Sequence, residues 1–162
     1  MDQTVDYEYD AFVVYDIADR EWVNERLLPQ LEQNSGYPNC TISELEDVLQ
    51  SRRHSVVKLC VHERDFQPGQ EIIANIWNKL ERSRKVILVV SKNFTGSQYC
   101  NYEMNLARMH SVEKGRNVLV PVILEWPDVE QVSECLHWIL RKVTYIRWSD
   151  RDGEQDDFWH KL

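Results

Sequence analysis

The sequence has few of the features that mark a disulfide-bonded or metal-binding protein. Its 162 residues include four cysteines, and no two of them form a C-x-x-C pair. Cys60 and Cys100 lie within apolar stretches, so we expect buried free thiols rather than disulfides. The five histidines are scattered without zinc-ligand spacing. The sequence therefore predicts no metal and no cofactor.

Long apolar runs are missing as well. The longest, residues 118–124, has the length of a strand, whereas a membrane-spanning helix needs about 20 apolar residues. No signal peptide is recognisable. The formal net charge of -8 disfavours nucleic acid as a partner and a general electrostatic attachment to membranes. We expect either a soluble protein or a piece of a larger one, with no direct membrane insertion by this segment.

Nucleotide-binding signatures are absent too. No glycine-rich loop with a lysine is present to cradle phosphates. No G-x-G-x-x-G follows the first apolar run, which disfavours a dinucleotide site. Ser91 stands at the end of the third apolar run, where a phosphoacceptor receiver domain would carry an aspartate.

Apolar runs do alternate with amphipathic segments along most of the chain. The predicted strands are residues 9–15, 55–61, 86–90, 118–124 and 143–148. Strands that alternate with helices favour a parallel α/β sheet with right-handed crossovers. Pro121 lies within the fourth strand, where it removes a hydrogen-bond donor, but the apolar residues on both sides of it favour a strand.

Helices are predicted between these strands from apolar spacing and capping residues. Asp19 is the expected cap of the first helix, which Pro29 should bend. Ser97 is expected to begin a helix that runs towards Lys114, and Asp128 with Gln131 resembles a capping pair. The inward positions of the first helix include Val23, Leu27 and Leu31. Two further helices carry apolar stripes, and a last helix begins with three apolar residues: Ile72, Ile73, Ile76, Trp77 and Leu80; Val129, Val132, Leu136 and Leu140; and Phe158, Trp159 and Leu162.

About twenty residues separate the first helix from the second strand, which is longer than most loops. Within this insertion, residues 34–54, Thr41 and Glu44 form a capping box. Apolar residues then follow at helical spacing, among them Leu45 and Leu49. We predict an extra helix over about residues 42–52, lying against the exposed edge of the second strand; a disordered loop is the alternative.

Three short motifs follow one another along the chain: residues 9–15 (YDAFVVY), residues 59–69 (LCVHERDFQPG) and Phe158-Trp159. They resemble, in this order, the first, second and third boxes of the Toll/interleukin-receptor (TIR) domain family. Residues 83–91 and 97–103 also match. The resemblance covers nearly the whole chain, and the form of the second box is most similar to that of Toll-like receptors.

This resemblance implies a single domain over residues 1–162, with a core from about residue 7 and a flavodoxin-like sheet of strand order 2-1-3-4-5 flanked by helices on both faces. It also implies the cytoplasmic part of a single-pass type I receptor of innate immunity, in which case Met1 is not the natural start. The implied partners are TIR-containing adaptor proteins and other receptor TIR domains. Self-association is expected to be weak, because no long heptad or leucine-rich stripe is present to hold a dimer.

The second box is the predicted interaction site. Pro68 and Gly69 should fix a protruding loop after the second strand, in which charges beside an aromatic side chain suit protein recognition. A plain surface turn, with Arg64 and Asp65 solvated or paired, is the alternative. The predicted loop comprises His62, Glu63, Arg64, Asp65, Phe66, Gln67, Pro68 and Gly69, and the first box contributes Tyr9, Asp10, Ala11, Phe12 and Tyr15.

An alternative function, cleavage of NAD, is suggested by Glu103. Some TIR domains cleave NAD with a glutamate at the matching position of this motif. Glu103 also lies on a mostly apolar helical stripe with Tyr99, Cys100, Leu106, Ala107 and His110. A carboxyl in such surroundings could have a raised pKa and stabilise a developing oxocarbenium ion. We expect a structural role for it, with NAD hydrolysis as the alternative.

Overall fold

A computed structural model describes residues 6–33, 57–151 and 153–162. The predicted insertion and its extra helix lie outside these residues. The strands are β1 (Tyr9–Val14), β2 (Leu59–Cys60), β3 (Ser83–Val90), β4 (Leu119–Ile123) and β5 (Ile146–Arg147). The α-helices are α1 (Arg20–Trp22), α2 (His62–Asp65), α3 (Ile72–Glu81), α4 (Lys92–Gly96), α5 (Gln98–Glu113), α6 (Glu134–Lys142) and α7 (Glu154–Lys161).

The strands form one parallel sheet of order β2-β1-β3-β4-β5. Ala11 pairs with Leu59 on one side and with Lys85 on the other, and Val90 pairs with Ile123. This confirms the predicted flavodoxin-like order. In such a sheet the carboxyl ends of the strands share one edge, here called the carboxyl edge, and their amino ends share the opposite amino edge.

The two faces of the sheet bury two separate cores, because successive strand residues point to opposite sides. One core joins Phe12, Val14 and Leu88 to apolar residues of α3, α5 and α6. The other joins Val13 and Val89 to the first helical segment and α7. Helices therefore cover both faces, as predicted.

Pro121 is accommodated by the position of β5. The carbonyl of Val118 and the amide of Leu124 bond to β3, whereas the Ile123 carbonyl accepts from Trp148 of the β5 side. The alternation directs the Pro121 nitrogen towards β5 as well. β5 pairs with β4 only from Val122 onward, so no partner acceptor is left without its donor.

The first helical segment differs from its predicted form. A 3-10 turn (Ile17–Asp19) precedes α1, and the Asp16 carboxylate caps it by accepting from the Ala18 amide at 2.9 Å. Asp19 occupies the N-cap position of α1, as predicted, but its side chain makes no capping hydrogen bond. The helix continues beyond α1 as π-helical stretches at Val23–Leu27 and Pro29–Gln33. Pro29 has no N–H to give to the preceding turn, which is a reason for the wider winding around it.

The capping pair predicted at Asp128 and Gln131 is wrong. Those residues bound a 3-10 turn (Val129–Gln131), in which the Gln131 amide donates to the Asp128 backbone carbonyl at 2.9 Å. Ser133 is the cap of α6, with its hydroxyl accepting from the Leu136 amide at 3.2 Å. Val129, part of the predicted apolar stripe, is consequently 85% exposed.

The strand ends also shift relative to the prediction. β3 begins three residues earlier than expected, at Ser83, while β5 is limited to Ile146–Arg147. Ser97 caps α5 as predicted, accepting from the Cys100 amide at 3.3 Å. No helix among the described residues is long and apolar enough to span a membrane.

Candidate functional site

The predicted interaction loop begins as a helical turn, α2, which places its charged residues against the sheet. The Arg64 guanidinium donates to both carboxylate oxygens of Glu32, at 2.9 and 3.0 Å, and to the Leu59 carbonyl at 2.7 Å. Asp65 accepts from the Val61 amide at 2.8 Å and from Arg64. Side-chain hydrogen bonds from Arg64 are the main cause that lowers the pKa of Glu32. Arg64 and Asp65 thus hold the loop to β2 and the first helical segment.

His62 and Phe66 point into a cluster of aromatic rings at the carboxyl edge. The His62 ring stacks on Tyr15 at 4.9 Å between centroids and meets Tyr99 edge-on at 5.6 Å. Phe66 stacks on Phe12 at 6.0 Å. Burial lowers the pKa of His62, while the nearby Glu63 carboxylate opposes the change. His62 is therefore a neutral packing residue at pH 7.

The tip of the loop is the part that faces solvent. Gln67, Pro68, Gly69 and Gln70 are all exposed, and Gly69 adopts a φ of 82°, which side chains rarely tolerate. Asn75 of α3 fixes the tip by accepting from the Gln67 amide at 3.0 Å and donating to its carbonyl at 3.1 Å. The tip is thus exposed yet held in a defined shape.

Two isoleucines beside this tip belong to the predicted apolar stripe of α3 but do not face inward. Ile72 and Ile73 are 59% and 55% exposed. They occupy the first turn of α3, and the buried stripe of that helix starts only at Asn75 and Ile76. The structure therefore adds an exposed apolar pair to the predicted loop, and sequence spacing alone missed it.

Glu103 lies in the interior near the same edge. Its side chain is fully buried on α5, and neither carboxylate oxygen has a well-formed hydrogen bond to a described residue. Burial raises the pKa of Glu103 to about 8, and the close but imperfectly placed Tyr99 hydroxyl partly offsets this rise. Burial, with a smaller contribution from nearby charges including Glu103, raises the pKa of Tyr15 to about 12. Glu103 is therefore a buried carboxyl that binds its proton more tightly than an exposed glutamate does.

The other boxes have structural positions. Tyr9, Ala11, Phe12 and Tyr15 of the first box are buried in or next to β1, and Asp10 accepts from the Lys58 amide at 2.9 Å, which ties β1 to the start of β2. In the third box, Phe158 and Trp159 of α7 pack with Trp22 and Trp148. These boxes organise the sheet and its last helix, while the second box reaches solvent.

Among the described residues, no group of histidine, cysteine and acidic side chains is arranged to hold a metal ion. Cys60, Cys100 and Cys135 are buried free thiols, and burial raises the pKa of both Cys60 and Cys100 to about 12. They are therefore packing residues rather than nucleophiles at neutral pH.

The fold and this site define a doubly wound α/β domain with a rigid, exposed loop at the carboxyl edge of its sheet. A family model described as "TIR domain" matches residues 11–162. The chain belongs to the TIR-domain family.

Its curated relatives include Toll-like receptors from several animals. The chain is 33% identical to Toll-like receptor 13 of Mus musculus over 156 residues, covering 95% of this chain and 14% of the receptor. It is 34% identical to Toll-like receptor 2 of the same species, covering 95% and 18%. It is also 34% identical to Toll-like receptor 4 of Pinctada imbricata, covering 97% and 16%. The chain thus spans less than a fifth of the length of these receptors.

Solved structures with the same fold include the TIR domain of the Toll-related receptor TRR-2 from Hydra magnipapillata. It superposes with a TM-score of 0.62 at 24% identity, covering 95% of this chain and 94% of that one. A TIR-STING receptor from C. gigas, in complex with 2',3'-cGAMP, superposes with a TM-score of 0.58 at 24% identity, covering 95% and 39%. At this identity the likeness concerns the fold.

Proposed function

We propose that this chain is the intracellular signalling domain of a Toll-like receptor of innate immunity, and that it recruits TIR-containing adaptors through contacts between TIR domains. The observation that carries this proposal is the loop tip from Gln67 to Gln70, which is exposed and yet fixed by Asn75. A loop that is already ordered loses little conformational entropy when it binds. The similarity to Toll-like receptors supports the receptor assignment.

The interaction surface extends from the tip onto the first turn of α3. Pro68, Ile72 and Ile73 give it an apolar centre, and Glu63, Gln67 and Gln70 give it a polar rim. Interfaces of signalling proteins commonly combine an apolar centre with polar surroundings and are often small. Other receptor TIR domains are proposed as partners of the same surface, with weak self-association in dilute solution.

Pro68→His tests the proposal. The side chain at this position is exposed, so the variant should keep the circular dichroism spectrum of the wild type and lose adaptor binding in a co-precipitation assay. Met109→His is the matched control, because Met109 is also exposed but lies on α5 near the amino edge. Normal adaptor binding by folded Pro68→His would refute the role of the loop.

NAD hydrolysis through Glu103 is a second candidate function, favoured by one observation. Glu103 is a buried carboxyl without a well-formed hydrogen bond near the carboxyl edge, and burial raises its pKa to about 8. A glutamate with such a pKa can hold or release a proton at neutral pH. The complete burial of Glu103 weighs against this activity, since NAD reaches the carboxyl only if neighbouring rings such as those of Tyr15 or Tyr99 move aside.

Incubation of the pure chain with NAD separates the two candidates. The interaction proposal expects no nicotinamide release above that of a Glu103→Gln control. Release by the wild type that disappears in the Glu103→Gln variant would establish the hydrolase instead.

A further inference from the structure

The amino edge of the sheet carries a cleft that the proposed function does not use. The cleft has a volume of about 310 Å³ and lies where α5 and α6 end and β4 begins. Arg108, Arg116 and Lys142 contribute positive charge to its lining, and Trp138 and Val112 contribute apolar surface. The Arg108 guanidinium lies over the Trp138 ring, 4.5 Å from its centroid. The cleft is therefore cationic with an aromatic wall.

Further cations surround the cleft. Neither these nor the cations that line it form an ion pair with an acidic side chain among the described residues. At the same edge, Arg82 is paired with Glu8 at 2.9 Å. Away from it, Arg20, Arg64, Lys92, Arg151 and Lys161 each form an ion pair within the described part of the chain. Glu81 and Glu113, the acids close in sequence to these cations, pair with none of them. The set that we call the amino-edge patch comprises Arg84, Lys85, Arg108, Lys114, Arg116, Arg141 and Lys142.

Neutral groups hold part of the patch in place. The Lys85 ammonium donates to the Asn117 carbonyl at 3.0 Å, and the Arg116 guanidinium donates to the Tyr7 hydroxyl. Arg84 and Arg116 also lie 5.9 and 5.0 Å from the centroid of the Tyr7 ring. Such contacts fix the side chains without neutralising them, so their charge remains available to an anion outside the molecule.

The chain enters its fold through this patch. Tyr7 comes just before β1 and lies against Arg84 and Arg116, so the polypeptide that leads into the first strand passes along the amino edge. In a receptor domain that follows a membrane span, this edge faces the inner leaflet. Basic residues near a span accumulate on that side, where anionic lipids attract them. Met109 and Val112 beside the patch are 61% and 68% exposed, which suits insertion among lipid headgroups.

We propose that the amino-edge patch binds the phosphate groups of anionic phospholipid headgroups at the membrane surface, with the cleft receiving one headgroup. This inference rests on the proposed function, because the receptor assignment is what places the edge beside a membrane. The net charge of -8 suggested the opposite, but it averages over a molecule in which the seven cations of the amino-edge patch lie together without an acidic partner among the described residues. The patch holds the domain against the leaflet and turns the carboxyl edge, with its interaction loop, towards the cytosol.

Vesicle co-sedimentation tests the proposal. The chain is mixed with vesicles of phosphatidylcholine alone or of phosphatidylcholine with phosphatidylserine. Binding should require the anionic lipid and weaken as salt is added. Lys85→Gln/Arg116→Gln/Lys142→Gln should lower the affinity on the order of a hundredfold, since each basic residue near an anionic surface contributes about fivefold. Circular dichroism verifies that the variant is folded, and Lys142→Gln alone should lose about fivefold.

The matched control is Lys92→Gln/Arg151→Gln/Lys161→Gln, which removes the same charge from ion-paired residues outside the patch. Equal losses in the two triple variants would overturn the proposal, because net charge rather than the patch would then govern binding.

Competition by soluble glycerophosphoserine at concentrations comparable to the lipid would also overturn it, in favour of a soluble phosphate ligand. So would loss of adaptor binding in the patch variant with unchanged vesicle binding, since the patch would then be a protein-binding surface. A wild-type chain that binds adaptor but ignores anionic vesicles would overturn this inference and leave the proposed function intact.

Discussion

The two edges of the sheet differ in the groups that most of their basic residues contact. At the carboxyl edge, Arg64 is bound by Glu32 and Asp65, and Lys92 is paired with Glu125 at 3.1 Å. At the amino edge, Arg84, Arg116 and Lys142 meet only neutral groups among the described residues. The carboxyl edge thus uses its charges to shape a loop, whereas the amino edge, apart from the ion pair of Arg82 with Glu8, presents its basic residues to solvent.

The difference shows that a charged residue in a candidate site need not contact the ligand. Arg64 is the most conspicuous charge in the second box, yet it bonds within the molecule through several donors. The proposed contact surface consists instead of Pro68, Ile73 and their neighbours, which are exposed.

Glu103→Gln has the largest expected effect. The folded state raises the pKa of Glu103 from 4.5 to about 8 by burial, so it binds a proton that the unfolded chain releases. The contribution is favourable below pH 4.5 and is lost as the pH rises towards 8. Glutamine removes this loss and should stabilise the domain by up to about 4 kcal/mol at pH 7.5, with little change below pH 4.5.

Urea unfolding between pH 5 and pH 8 measures this difference. The exposed Glu113 of the same helix provides the control, since Glu113→Gln should change stability little at any pH. A stability difference for Glu103→Gln that does not grow with pH would contradict the protonated, buried carboxyl.

Arg64→Lys should destabilise the domain by about 1 to 2 kcal/mol, because a lysine cannot reproduce the two-pronged contact with Glu32 or the bond to the Leu59 carbonyl. Arg20→Lys is the control, since Arg20 has one long contact, 3.9 Å from Glu63, and should change stability little. A double-mutant cycle with Glu32→Gln measures the coupling. A coupling near zero would show that the loop is not held in this way.

Much of the fold followed from local pattern, because apolar runs long enough for strands leave few alternatives to a parallel sheet. The strand order came from the family resemblance. The apolar stripe around Glu103 was also expected from helical spacing. Its complete burial was not, since the carboxylate was expected at a helix edge with a neighbouring donor, and neither oxygen has a well-formed hydrogen bond. The contact between Arg64 and Glu32 could not be predicted from the sequence, because thirty-two positions separate the two residues and only the folded sheet brings them together.

The errors have a common physical origin. Ile72 and Ile73 fit the apolar spacing of α3, but they occupy its first turn, ahead of its buried stripe. Val129 fits the spacing of α6 but precedes the Ser133 cap. Spacing reports which side of a helix is apolar and does not report where the packing partner ends. The amino-edge patch was missed because its members are dispersed from Arg84 to Lys142 and meet only in the fold.

Ile73→Glu should weaken adaptor binding by roughly tenfold, because it places a charge that would be buried in the apolar centre of the proposed interface. Stability should hardly change, since the side chain is 55% exposed in the free domain. Binding is measured by titration of the adaptor TIR domain. Val129→Glu is the control, as Val129 is exposed at the same edge beyond β4. Equal weakening by both variants would point to a general charge effect rather than a defined interface.

Lys142→Gln should have the smallest effect on stability. Lys142 is the last residue of α6 and forms no ion pair among the described residues. Its interaction with the carboxyl end of the helix is therefore the main contribution at risk, about 0.5 kcal/mol at low salt. Salt screens an exposed charge of this kind, so wild type and variant should converge as sodium chloride is added. Arg64→Lys should keep most of its loss in the same titration, because its contacts are short and directional. Urea unfolding of the wild type and both variants across the salt series measures these stability differences. A loss at Lys142 that persists in high salt would show that the amino-edge cations are structural, and the contrast between the two edges would fail.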